Sequence, residues 1–242
     1  MNFLFLFISF LVAFTTFIVG GIPLILESKN PKYRELFLKK ELPPRIILSV
    51  LSFLVNFYIL NAFSDFDFRI ILILIVWNII SLFIFFLVFY DLFFMEIPLI
   101  PGFITLAIIF IASLFAKNGL EIWNNADLEL GRIVLGGIIA AGIIALIVLV
   151  SKRKAMGEGD ILAAGIAGML AQYGNLILWA YLSIFSAAAV GIIISINKKK
   201  FRGLKLPFIP FLLVSSLIVI TFNQEIHQFL SENFPFLTIF DY

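Results

Sequence analysis

Cysteine is absent from this chain of 242 residues, and histidine occurs once, as His227. Without cysteine there are no disulfides, no thiol catalysis and no cysteine-ligated zinc. A single histidine rules out a histidine metal cluster, so we expect neither a metal nor a cofactor. Charge is scarce as well. Only 13% of the residues are charged, against about a quarter in soluble domains. The net charge of +2 gives no indication of nucleic-acid binding, because the basic residues follow membrane topology instead. The N-terminal run lacks the basic region and small-residue cleavage site of a signal peptide and reads as a retained helix. No internal repeat and no low-complexity linker is visible.

What is present is apolar surface. Hydrophobic residues make up 62% of the chain, and the mean hydropathy is +1.14. Long continuous apolar runs, rather than short alternating ones, argue for helices in lipid and against a barrel. Eight such runs lie at about 3–26, 45–63, 70–90, 97–116, 131–150, 160–177, 177–196 and 206–221. Most approach the ~20 residues that a crossing requires. The sixth and seventh are divided only by a tight turn near Gln172-Tyr173-Gly174-Asn175. The expected fold class is therefore all-α, a polytopic membrane bundle of about eight transmembrane helices.

The basic residues support that count. With residue 1 outside, the loops at 27–45, 91–96, 151–159 and 197–205 face the cytoplasm, and they hold 14 of the 17 Lys and Arg. This is the positive-inside pattern, and it puts both termini outside. Arg69, Lys117 and Arg132 fall on outside connections, with Asp65, Asp67, Glu121, Asp127 and Glu129, and Trp123 reads as an interfacial anchor. Lys198, Lys199, Lys200 and Arg202 read as topology determinants touching anionic lipid. Three regions follow: 1–44, a first helix and a short cytoplasmic loop; 45–221, the membrane core; and 222–242, an extracytoplasmic amphipathic tail that includes His227.

Of the 30 phenylalanines, 21 precede residue 117. The later runs are rich in small residues, including Gly136, Gly137, Ala140, Ala141, Ala163, Ala164, Gly165, Ala167, Gly168 and Ala171. Small residues four apart allow close helix approach. The expectation is a tight core from the second half and a Phe-rich first half facing more lipid.

Two acids interrupt this pattern. Asp91 ends the third run in YDLFFMEIP, and Asp160 opens the sixth in GEGD. An ionisable group at the mouth of a membrane segment is costly and calls for a function. The topology brings both to the cytoplasmic side although they are 69 positions apart in sequence. Two close carboxylates can share one proton, as in aspartic proteases. Gly157 and Gly159 would let an extended substrate backbone approach Asp160. The plainer reading of the tetrapeptide is a loop before a helix with Asp160 as its N-cap. Pro98 and Pro101 suit the first turn of the fourth helix.

Three stretches in order give the chain a resemblance to a known family. YDLFFMEIP, GEGDILAAGIAGML and LKLPFIPFLL resemble the motifs of the type IV prepilin peptidases and preflagellin peptidases, the GxGD membrane aspartic proteases. The likeness covers roughly residues 40–215. It implies that Asp91 and Asp160 are the catalytic pair. It also implies cleavage of a short basic leader from prepilin-like precursors (pilin, pseudopilin or archaellin) at the cytoplasmic face of the cell membrane. Gly157, Glu158, Gly159, Glu96 and Pro98 would contact the substrate, with Glu96 and Glu158 attracting the basic leader. The chain departs from the bifunctional members. Its first loop is short and cysteine-free, and the Gly-Ser-Phe-Leu-Asn-Val stretch is missing from the first run, so peptidase activity without N-methyl transfer is expected. Leu99 stands where many members have a polar residue, and Glu158 where an apolar one is common. A rival reading of the same two aspartates is a proton- or cation-coupled transporter, although such sites usually lie near the midplane. A structural subunit of a pilus or secretion assembly would leave GEGD without a role.

Overall fold

The computed structural model describes residues 2–23, 42–62, 68–116, 130–153, 156–199 and 206–222, together with residues 228 and 232. The expected acidic outside loops with Trp123, most of the first cytoplasmic loop, Lys200, Arg202 and the tail around His227 lie outside the described residues. Among the described residues there are eight α-helices: α1 (Asn2–Val19), α2 (Leu42–Ala62), α3 (Phe68–Phe94), α4 (Leu99–Ala116), α5 (Leu130–Val150), α6 (Glu158–Ala171), α7 (Leu176–Lys198) and α8 (Ile209–Thr221). A 3-10 turn at Tyr173–Asn175 joins α6 to α7.

Each helix falls on one of the eight apolar runs, but the lengths differ. Ile75–Phe94, Leu130–Val150 and Tyr173–Lys198 are long and apolar enough to cross a membrane. Helix α6 has 14 residues and α8 has 13. At 1.5 Å per residue each is about 20 Å long, short of a ~30 Å hydrocarbon layer. The sixth run, placed at 160–177, overruns the turn at Gln172 to Asn175. The helix stops at Ala171, where Gln172 takes a left-handed φ of 62° and donates its N–H to Gly168 O at 2.9 Å.

Helix α6 is the centre of the bundle. Every residue from Ala163 to Ala171 is buried, as expected of a helix that is apolar on all sides. It packs most extensively on α5, and also on α8 and α4. The α5 contact depends on glycine: a Cβ on Gly168 would lie 2.5 Å from Ala140 Cβ and would overlap the backbone of Gly136. This is the close approach that small residues permit.

The division of the chain into a Phe-rich lipid-facing half and a small-residue core half needs correction. Trp77, Ile84, Phe85, Leu87, Val88 and Phe89 of α3 are almost wholly buried, because α1, α2, α4 and α8 all pack against that helix. Conversely, α5 and α7 of the later half expose Ile138, Leu146, Leu149, Ile177 and Phe185. Alongside the exposed Phe10, Phe14, Ile47 and Phe103 of the first half, these make an apolar exterior suited to lipid rather than water. Burial follows position in the bundle, not composition of the half.

Contacts at helix ends establish which ends lie together. Arg45, near the start of α2, donates from Nε and Nη2 to Phe17 O at 3.1 and 2.7 Å, and its guanidinium sits 4.2 Å from the Phe17 ring centroid. Gly20, just past α1, lies against Phe89 of α3. The end of α3 meets the start of α8 through Asp91 and Ile209, and Arg153 after α5 meets Glu158 on α6. One end of the bundle therefore gathers Arg45, Asp91, Lys152, Arg153, Asp160, Lys198 and Lys199. Arg132, near the start of α5, is at the other.

Candidate active site

Asp91 sits in the last turn of α3. Its carbonyl accepts the Met95 N–H at 2.8 Å. Met95 then turns left-handed, with φ of 55°, which ends the helix as an αL residue commonly does. The chain leaves through Glu96-Ile97-Pro98 to start α4. The Asp91 side chain points inward and the residue is only 4% exposed. Its Oδ2 accepts the backbone N–H of Ile209 at 3.2 Å.

That N–H belongs to the first residue of α8, where helix donors have no partner of their own. In this first turn Phe211 and Leu212 donate to Phe208 O at 3.1 and 3.3 Å, and Pro210 has no N–H. Ile209 is the donor left to Asp91, and the positive end of the α8 dipole favours the carboxylate there.

Asp160 is presented differently. The N-cap of α6 is Gly157, in an extended conformation with φ −85° and ψ 165°. Asp160 is therefore not the N-cap; it is the third helical residue, and its Oδ2 accepts the Gly157 N–H at 2.7 Å. This is the return half of a capping box. It holds the carboxylate at the mouth of the helix, half-buried. Gly157 closes the extended segment, and Glu158 and Gly159 already belong to the first turn of the helix. Gly159 has another reason to lack a side chain: a Cβ there would lie 3.2 Å from Ile97 Cβ. A glycine lets α6 press against the α3–α4 connection.

Asp91 and Asp160 line the same cavity, of about 530 Å³, within the usual size for a ligand site. Its walls come from three stretches. The first is Asp91 with Met95, Glu96 and Ile97. The second is Arg153, Met156, Gly157, Gly159 and Asp160. The third is Leu206 to Ile209. Among the residues expected at the site, Asp91, Asp160, Gly157, Gly159 and Glu96 are thus brought together. Glu158 and Pro98 are not on the walls. Glu158 points outward into an ion pair with Arg153 at 2.5 Å, the two side chains being 64% and 73% exposed. Pro98 precedes α4, where its carbonyl accepts the Gly102 N–H at 3.2 Å.

Sequence reasoning missed Arg153, the two methionines and the Ile209 amide. Arg153 lies in a basic tripeptide that reads only as a topology signal. The α8 contribution is a backbone atom, invisible to residue-type reasoning. Its trace in the sequence is the pair Pro207 and Pro210, which frames a helix start. Among the described residues no group of three or more His, Cys, Asp or Glu could hold a metal ion. Comparison of the chain with family models, with characterised proteins and with solved structures finds no match.

Proposed function

We propose that this protein is a membrane aspartic endopeptidase that uses Asp91 and Asp160 as its catalytic pair. One observation carries the reading. Two acids distant in sequence, on helices that start and stop at the same end of an apolar bundle, face a single cavity. In the reaction, one carboxylate is ionised and accepts a proton from a water molecule. The resulting hydroxide adds to the scissile carbonyl carbon while the protonated carboxyl donates a hydrogen bond to the carbonyl oxygen. Collapse of the tetrahedral intermediate breaks the C–N bond, and a proton passes to the leaving amine. The products are a new carboxylate and a new amino terminus. The pair titrates as a unit.

The resemblance to the GxGD prepilin and preflagellin peptidases supplies the substrate class: precursors with a short basic leader ahead of a hydrophobic helix. Cleavage would occur at the cytoplasmic face of the cell membrane, without methyl transfer. Glu96 on the cavity wall suits a basic leader.

The test is incubation of the purified protein with a panel of prepilin-like precursors, reading the cut site by mass spectrometry. Cleavage just before the hydrophobic segment is expected. It should fall by about 10²- to 10⁴-fold in both Asp91→Asn and Asp160→Asn, the usual range for losing a positioned acid or base. No cleavage of any precursor, with proton or cation flux through liposomes that depends on either aspartate, would move the carrier reading ahead.

A further inference from the structure

The two aspartates are carried by helices that hardly touch. α3 and α6 are not a major packed pair, whereas α4 and α8 each pack against both. Of these two bridges, α8 makes the specific polar contact, the Ile209 N–H to Asp91 Oδ2 at 3.2 Å. The other faces of α8 are firmly set. Leu212, Leu213, Leu217 and Val219 are at most 2% exposed, and Leu212 O accepts the buried Trp179 Nε1–H of α7 at 2.9 Å. An element anchored on α6 and α7 thus reaches across to hold the carboxylate on α3.

We infer that the first turn of α8 is the positioning element of the site, with the Ile209 backbone amide fixing the Asp91 carboxylate relative to Asp160. The inference rests on the peptidase reading above. The amide donates to Asp91, so it acts through that side chain. Losing it leaves Asp91 in place but free to rotate. Catalysis depends on alignment at the ångström scale, whereas substrate binding to the remaining walls does not.

Two variants remove the same N–H with different side effects. Ile209→Pro places proline at the first helical position, which helices accept, but disfavours the αR conformation that Phe208 holds, φ −96° and ψ −26°. Replacing Ile209 by its α-hydroxy acid, which turns the amide into an ester, leaves the side chain but weakens Phe208 O as an acceptor. In both, kcat on a cleaved precursor is expected to fall roughly 10- to 100-fold. KM should change little in both, and the thermal unfolding midpoint in detergent should change little in the ester variant. A kcat within about twofold of the parent in either folded variant would sink the inference, as would a raised KM with unchanged kcat, which would make the segment a substrate contact. Asp91→Ala, run beside them, separates the two levels. If Asp91→Ala still cleaves, the peptidase reading itself fails and the inference goes with it. If Asp91→Ala is dead and the Ile209 variants are active, only the positioning role is lost.

Discussion

Asp91 and Asp160 each accept one backbone N–H, yet from opposite relationships to their own helices. Asp160 is held by the cap of the helix it belongs to, a bond between residues three apart. Asp91 is held by a different helix, 118 positions further along the chain. The first arrangement is local and forms with α6; the second exists only once the bundle has closed. The acids around them differ as well. Glu96 lines the cavity, while Glu158 is off its walls and paired with Arg153. Glu96→Lys should therefore raise KM for a precursor with a basic leader by about 3- to 10-fold, the scale of one charge contact near a surface. The difference should vanish when the leader's basic residues are neutralised; an equal effect on both substrates would rule out charge recognition. Glu158→Lys breaks only an exposed ion pair. It should cost no more than about 1 kcal/mol of stability, read as a small shift in unfolding midpoint. At this scale the sequence exposed the two aspartates, because an acid at the end of an apolar run is conspicuous. It hid their holders, since both are backbone amide nitrogens, of Ile209 and of Gly157.

Helices α5 and α6 show what the small residues do. Their density in the later runs foretold close packing, and the Gly136–Gly168 contact is that packing. Gly168→Ala would force a methyl against Ala140 and the Gly136 backbone, and neither can yield without shifting a helix. The expected loss is about 1–3 kcal/mol or more, measured as unfolding by denaturant or heat in detergent. A Cβ on Gly142, also in α5, would meet nothing within 4 Å. Gly142→Ala should stabilise by about 0.5–1 kcal/mol through helix propensity alone. Opposite signs from one substitution type on two packed helices would confirm that space, not composition, sets the effect; a matching sign would contradict it. Helix positions were legible because apolar runs give them directly. Helix lengths were less so: the turn near Gln172-Tyr173-Gly174-Asn175 shows in the sequence, but not that α6 ends at Ala171 and α7 begins at Leu176. The burial of Phe85 and Phe89 was not legible, since phenylalanine serves a core and a lipid face equally well.

For the whole molecule, the contacts at helix ends and the charge pattern make one joint statement about orientation. Arg45, Lys152, Arg153, Lys198 and Lys199 are at the end that holds the cavity, and Arg132 is at the other. Basic residues favour the cytoplasmic side of a membrane, so the cavity should open there, where a basic leader would reach it before translocation. The chain contains no cysteine, which gives a clean background for single-cysteine labelling. Lys152→Cys and Arg132→Cys are both at exposed positions and flank the same helix, α5. A membrane-impermeant maleimide applied to intact cells or spheroplasts should label Arg132→Cys and spare Lys152→Cys until the membrane is opened. The reverse pattern would put both aspartates on the outer side and remove the cytoplasmic leader from reach. Labelling of both from one side would mean that α5 does not cross at all, and its 21 residues would have to lie in the interface or within an assembly.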